Sequence, residues 1–176
     1  MKSKRIDGSC QYSDVWEFNF YTPLFEGAEE KKQIVLVCKE HNIYCHKQIP
    51  VFHSPFFASE DYDEKPHAPW FDMNYFLQFA HGVRSEIPCY YQKNVFSLAK
   101  EYQFRNVTQL IEQQLIMRDY PMDFESIIVY DLNHQLAMRL RKLKSSEELT
   151  SILRKRNIEK MSGEAMKQCV KFFMEH

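Results

Sequence analysis

Ile34-Val35-Leu36-Val37-Cys38 is the segment that most limits what this chain can become. It is an uninterrupted apolar run rich in β-branched side chains, too short to pattern a helix and lacking a polar face. It therefore predicts a central strand buried on both sides, with Val35 and Val37 toward one layer and Leu36 toward the other. The polar group Lys39, Glu40, His41, Asn42 then turns the chain, through a loop of four or so residues, into a second strand near Ile43 to Cys45. Upstream, Trp16, Glu17, Phe18, Asn19, Phe20 alternates apolar with polar, the pattern of a strand with one buried face. Residues 1–14 carry no period and read as a loose arm, and Gly27 with Glu29, Glu30, Lys31, Lys32 reads as a solvated turn.

Pro50 and Pro55 punctuate the stretch after the hairpin, and from Met73 onward the spacing becomes helical. Met73, Phe76, Leu77 and Ala80 predict a helix capped by Asp72 and ended by Gly82. Asn94 opens another through Val95, Leu98, Ala99 and Tyr102, and Val107, Leu110, Ile111, Leu115 and Ile116 mark a third. After Pro121 come three amphipathic stretches. The first carries Leu132, Leu136, Leu140 and Leu143. The second carries Leu149, Ile152 and Leu153 behind Ser145 and Glu148 at capping-box spacing, and the third carries Met166, Cys169, Val170 and Phe173 behind Ser162. Strands first and helices after predict an α+β fold, a small sheet with clustered helices followed by a C-terminal all-helical extension.

A formal net charge of −1 offers no general attraction to nucleic acid or to an anionic membrane. No apolar run approaches the roughly 18–20 residues of a membrane span, and no signal-peptide stretch follows Met1. The five scattered cysteines suit reduced thiols, so the expected compartment is cytoplasmic or nuclear. Aromatics at 15% imply either a heavily aromatic core or a spare apolar face awaiting a partner.

Cys38, His41, Cys45 and His46 are zinc-ligand types close in sequence. Neighbours in a strand point to opposite faces, so Cys45 and His46 do not easily share one ion, and Cys38 lies inside the apolar run. No metal, no cofactor and no catalytic residue is expected. Glu60, Asp61, Asp63 and Glu64 lack the alternating ligands and central glycine of a calcium loop and read as a solvated acidic loop. Arg139, Arg141, Lys142, Lys144 and the triplet Arg154, Lys155, Arg156 read as polar helix faces.

From Gln33 to Phe57 the chain resembles the opening of BTB (POZ) domains: an apolar strand, a hairpin, the pair His46-Lys47, then Ser54-Pro55-Phe56-Phe57. Met73, Phe76, Leu77, Phe79 and Gly82 look like that family's next helix. Val95, Leu98, Ala99, Tyr102, Phe104, Val107 and Leu110 look like its closing helices, with a Leu-Ala-x-x-Tyr core. The resemblance covers roughly residues 30–117, and the tail is similar to the helical extension, sometimes a BACK module, that follows many BTB domains. It implies a loose arm at 1–14, a BTB/POZ-like domain at 15–117 and a BACK-like extension at 118–176. Gln33 and His53 replace the charged pair of transcriptional-repressor members. Pro50 stands where a helix leucine is usual, and the short stretch between Phe57 and Phe71 leaves open whether the third strand is present.

The resemblance implies a non-catalytic, homodimeric interaction module that acts as an adaptor between a protein substrate and a cullin-three ubiquitin ligase. The alternative is a homo-oligomerising scaffold or transcription-associated protein that binds no cullin. Tyr62 and Glu64 match the family's cullin-contacting spacing, and His81 is expected on the same surface. Trp16, Phe18, Phe20, Leu24 and Phe25 are the dimer-interface candidates, because an aromatic strand ahead of the domain leaves an apolar edge to cover.

Overall fold

In the computed structural model, which describes residues 17–24, 27–39, 41–59 and 68–176, the apolar run becomes β1 (Gln33–Cys38), paired antiparallel with β2 (His41–His46). Ile34 lies opposite Cys45, Leu36 opposite Ile43 and Cys38 opposite His41. The expected four-residue loop is thus a two-residue connection at 39–40. Lys39 takes a φ of +55°, the sign that tight hairpin turns of the favoured twist require at their first position. His41 and Asn42 join the ladder because strand pairing uses backbone groups, and exposed positions tolerate polar side chains.

One face of this hairpin is sealed. Ile34, Leu36, Cys38, Ile43 and Cys45 are at most 2% exposed, whereas Val35 and Val37 are half-buried. The expectation of a central strand buried on both faces is therefore corrected: among the described residues the sheet has two strands, and β1 alternates between a sealed and a partly covered face.

Nine α-helices occur among the described residues. Helices α1 (Gln48–His53) and α2 (Pro55–Ala58) meet at Ser54, whose Oγ accepts the Phe57 N–H at 3.3 Å while Pro55 occupies the first helical position. Then come α3 (Trp70–Ala80), α4 (Cys89–Glu101), α5 (Arg105–Met117), α6 (Phe124–Val129), α7 (Asn133–Leu140), α8 (Ser146–Leu153) and α9 (Gly163–Glu175). Both α3 and α4 start ahead of their expected caps. Asp72 and Asn94 lie inside the helices and bond each other, Asn94 Nδ2 donating to Asp72 Oδ2 at 3.0 Å. Helix α6 has no counterpart among the expected elements, and Leu132 and Leu143 flank α7 instead of belonging to it. Ser145 makes no side-chain cap bond: its side chain bonds Glu147, and Glu148 Oε2 accepts the Lys144 N–H at 3.0 Å. Ser162 caps α9 as expected, accepting the Ala165 N–H at 3.2 Å. The buried face of α9 is Ala165, Cys169 and Phe172, leaving Met166, Val170 and Phe173 exposed.

Glu17 to Phe20 keeps the predicted alternation, with Phe20 buried, Phe18 half-buried, and Glu17 and Asn19 exposed, but it does not form a strand. A single backbone bond, Tyr44 N–H to the Phe20 carbonyl at 2.8 Å, ties it to β2. Gln78 of α3 takes the place of a neighbouring strand: its Oε1 accepts the Phe18 N–H at 2.9 Å and its Nε2 donates to the Phe18 carbonyl at 2.7 Å. The chain divides into two compact units, one up to Leu98 and one from Ala99. Phe20, Leu36, Ile43, Phe76 and Phe79 centre the first core, and Phe104, Ile111, Ile127, Leu136 and Leu149 the second.

Candidate functional site

His81 follows the last turn of α3, and its place is set by the segment that crosses it. The rings of Phe18 and Phe20 lie 5.1 and 4.9 Å from the imidazole, centroid to centroid. Nδ1 lies 2.8 Å from the Leu77 carbonyl, which makes Nδ1 the protonated nitrogen of a neutral ring. Nε2 is sealed from solvent with no hydrogen-bond partner among the described residues. Burial holds the His81 pKa below its ordinary 6.5 against the opposing pull of the Leu77 carbonyl, and His46 and His53 nearby add to the lowering.

A histidine whose folded pKa is lowered favours the unfolded chain once acid protonates it. Its contribution is whole above 6.5 and is lost as pH falls from 6.5 through the folded value. Desolvation raises the pKa of the buried Asp72 carboxyl and of the only partly covered Glu17 carboxyl, so these groups shift stability in the opposite direction on acidification. The His81 share is therefore read as a difference. The urea midpoint of the parent is expected to fall between neutral pH and pH ~5.5, and in His81→Phe that fall should shrink or reverse. Equal falls in both proteins rule His81 out as the acid-sensitive group.

The second feature of this unit is a surface of rings. Trp70 and Phe71 stack with centroids 3.4 Å apart, Phe71 faces Tyr91 at 6.3 Å, and Tyr91 meets Tyr75 at 5.3 Å and Tyr90 at 4.2 Å. Tyr21 and His41 extend it through Trp70. The sequence signal for this surface lies in the doublets Trp70-Phe71 and Tyr90-Tyr91. Successive helical residues point about 100° apart, so both rings of a doublet rarely reach one core.

At Cys38 and Cys45 burial disfavours the thiolate. Burial pushes the Cys38 thiol up to about 11 and the Cys45 thiol up to about 12, far from the range in which a thiolate forms at neutral pH. Cys38 and Cys45 share the sealed face of the hairpin while His41 stacks on Trp70, and no group of three metal-ligating side chains converges among the described residues. Of the basic stretches, Arg139 donates to the Met122 carbonyl at 2.9 Å and Arg156 pairs with Glu125 at 2.5 Å.

Tyr62, Glu64, Trp16 and Phe25, and with them the acidic group 60–64, lie outside the described residues. His81 sits under Phe18 and Phe20, not free on a surface. Phe20 is wholly buried against its own chain and leaves the set of dimer candidates. Phe18 is half-covered, and Leu24, 37% exposed with its N–H on Gln33 Oε1 at 3.0 Å, stays accessible. No helix among the described residues is long and apolar enough to cross a membrane. Compared with protein-family models, curated proteins and solved structures, the chain matches none.

Proposed function

We propose that this chain is a non-catalytic protein–protein interaction module of the BTB/POZ type, a homodimer that links a protein substrate to a cullin-three ubiquitin ligase. The observation that carries the reading is the order of elements. A hairpin ends at His46, α1 and then the Ser54-capped α2 follow, α3 closes at His81-Gly82, and α4 carries Leu98 and Ala99 ahead of Tyr102. Exposed apolar side chains add support, Phe52 of α1 above all at 84% exposure.

Light scattering of the full chain at micromolar concentration is expected to return the mass of two chains, consistent with an interface of about 1,600 Å² in total. Leu24→Asp should shift it toward the monomer. In a pull-down with cullin-three, Tyr62→Ala and Glu64→Arg are each expected to lower capture about tenfold or more. A dimer that captures no cullin-three selects the scaffold reading, and a monomer that captures none overturns both.

A further inference from the structure

A buried carboxyl lies beside the rings at the starts of α3 and α4. Asp72 is 3% exposed, its Oδ2 takes the Asn94 amide, and its Oδ1 is sealed from solvent and has no hydrogen-bond partner among the described residues. Asp72 stands three residues before Tyr75 on α3, and Asn94 three after Tyr91 on α4, so this bonded pair neighbours the Tyr75–Tyr91 ring contact on the same helix faces. Phe71 and Tyr90 continue the rings outward, 45% and 72% exposed.

The occupant follows from charge. Aromatic faces attract cations through their quadrupole, and a buried carboxylate close by adds a negative charge that solvent and salt screen weakly. An acidic segment meets repulsion there, and a purely apolar one leaves the carboxylate uncompensated. A guanidinium is flat, weakly hydrated and stacks on rings, which suits this surface better than a compact, strongly hydrated ammonium. We propose that the ring surface around Asp72 docks an arginine-bearing segment of a partner protein. A cation seated there also offsets the burial that pushes the Asp72 carboxyl up. The inference holds whether or not the chain dimerises or binds a cullin.

The test uses the full chain with Trp16→Phe, which leaves Trp70 as the sole indole. The probe is the capped peptide Gly-Arg-Gly-Gly-Arg-Gly, and its control carries citrulline, a neutral isostere, at both arginines. The arginine peptide is expected to change Trp70 emission saturably, with the citrulline peptide about fivefold weaker or more. Asp72→Asn and Tyr90→Ala should each weaken the arginine peptide by a similar factor. Tyr90 is exposed, so its loss of binding is not a loss of fold, and an unchanged melt of that variant verifies this. Equal binding of the two peptides, no saturation, or parent-like binding by both variants overturns the proposal. So does a peptide-free Trp70 signal that grows with protein concentration and vanishes in Tyr90→Ala, since the surface then belongs to a second copy.

Discussion

Leu36→Asp is expected to abolish the cooperative unfolding transition of the unit that holds the hairpin. Leu36 is 1% exposed and lies opposite Ile43, itself 0% exposed, so the substitution removes a buried side chain and puts a carboxyl in its place. Losing the leucine costs about 2–5 kcal/mol, and burying a polar group without a partner adds several more. That sum is comparable with the ~5–15 kcal/mol by which a whole domain is stable. Val37→Asp is the internal control, because Val37 is half-buried on the other face, and it should cost only about 1 kcal/mol. Urea unfolding followed by circular dichroism separates the two. A Leu36→Asp protein that melts within about 2 °C of the parent removes β1 from the core, and equal damage from both substitutions restores a strand buried on both faces.

β1 is legible in the sequence because an unbroken β-branched run has no polar stripe to offer a helix. The number of its neighbours is not, since a hairpin beneath helices and a central strand show the same apolar letters. The helix ends are a sharper case. Helices α3 to α6 all close on a left-handed residue, Gly82, Gln103, Asp119 and Asp131. The next residue in each case donates five positions back, Val83 to Gln78, Phe104 to Ala99, Tyr120 to Leu115 and Leu132 to Ile127, at 2.7–2.9 Å. Only Gly82 announces this ending by residue type. At the others the signal is an apolar residue just past the turn, which is why Leu132 reads as the start of a helical stripe when it is the stop of α6. The caps fail for a related reason: Asp72 and Asn94 favour helix starts in isolation, but here each has the other to bond across 22 positions of sequence. Of the candidate site, the ring doublets are visible as letters, while the carboxyl beside them depends on how α3 and α4 meet.

Glu112 carries the other large effect, and its reason also lies far away in the chain. Helix α7 is preceded by Leu132, which has no side-chain acceptor for the free N–H groups of the first turn. Glu112 of α5, 2% exposed, supplies one: Oε1 accepts the N–H groups of His134 and Gln135 at 2.8 and 2.9 Å, and Oε2 lies 2.9 Å from His134 Nδ1. These are the amides a cap residue satisfies, and a carboxylate at a helix N-terminus also meets the positive end of the helix dipole. Glu112→Leu leaves both amides without an acceptor and is expected to cost about 3 kcal/mol. Glu112→Gln keeps one carbonyl oxygen in place and should cost nearer ~1 kcal/mol. His134→Ala should cost less than about 0.5 kcal/mol, because the imidazole is 68% exposed and its contact with Oε2 is surface-screened. The order Leu, then Gln, then His134→Ala in urea midpoints, with amide exchange at 134 and 135 accelerated in the first, is what a cap supplied from another helix produces. If Glu112→Leu is no worse than His134→Ala, the carboxylate does not hold α7, and the start of that helix rests on the burial of Leu136 and Leu140 alone.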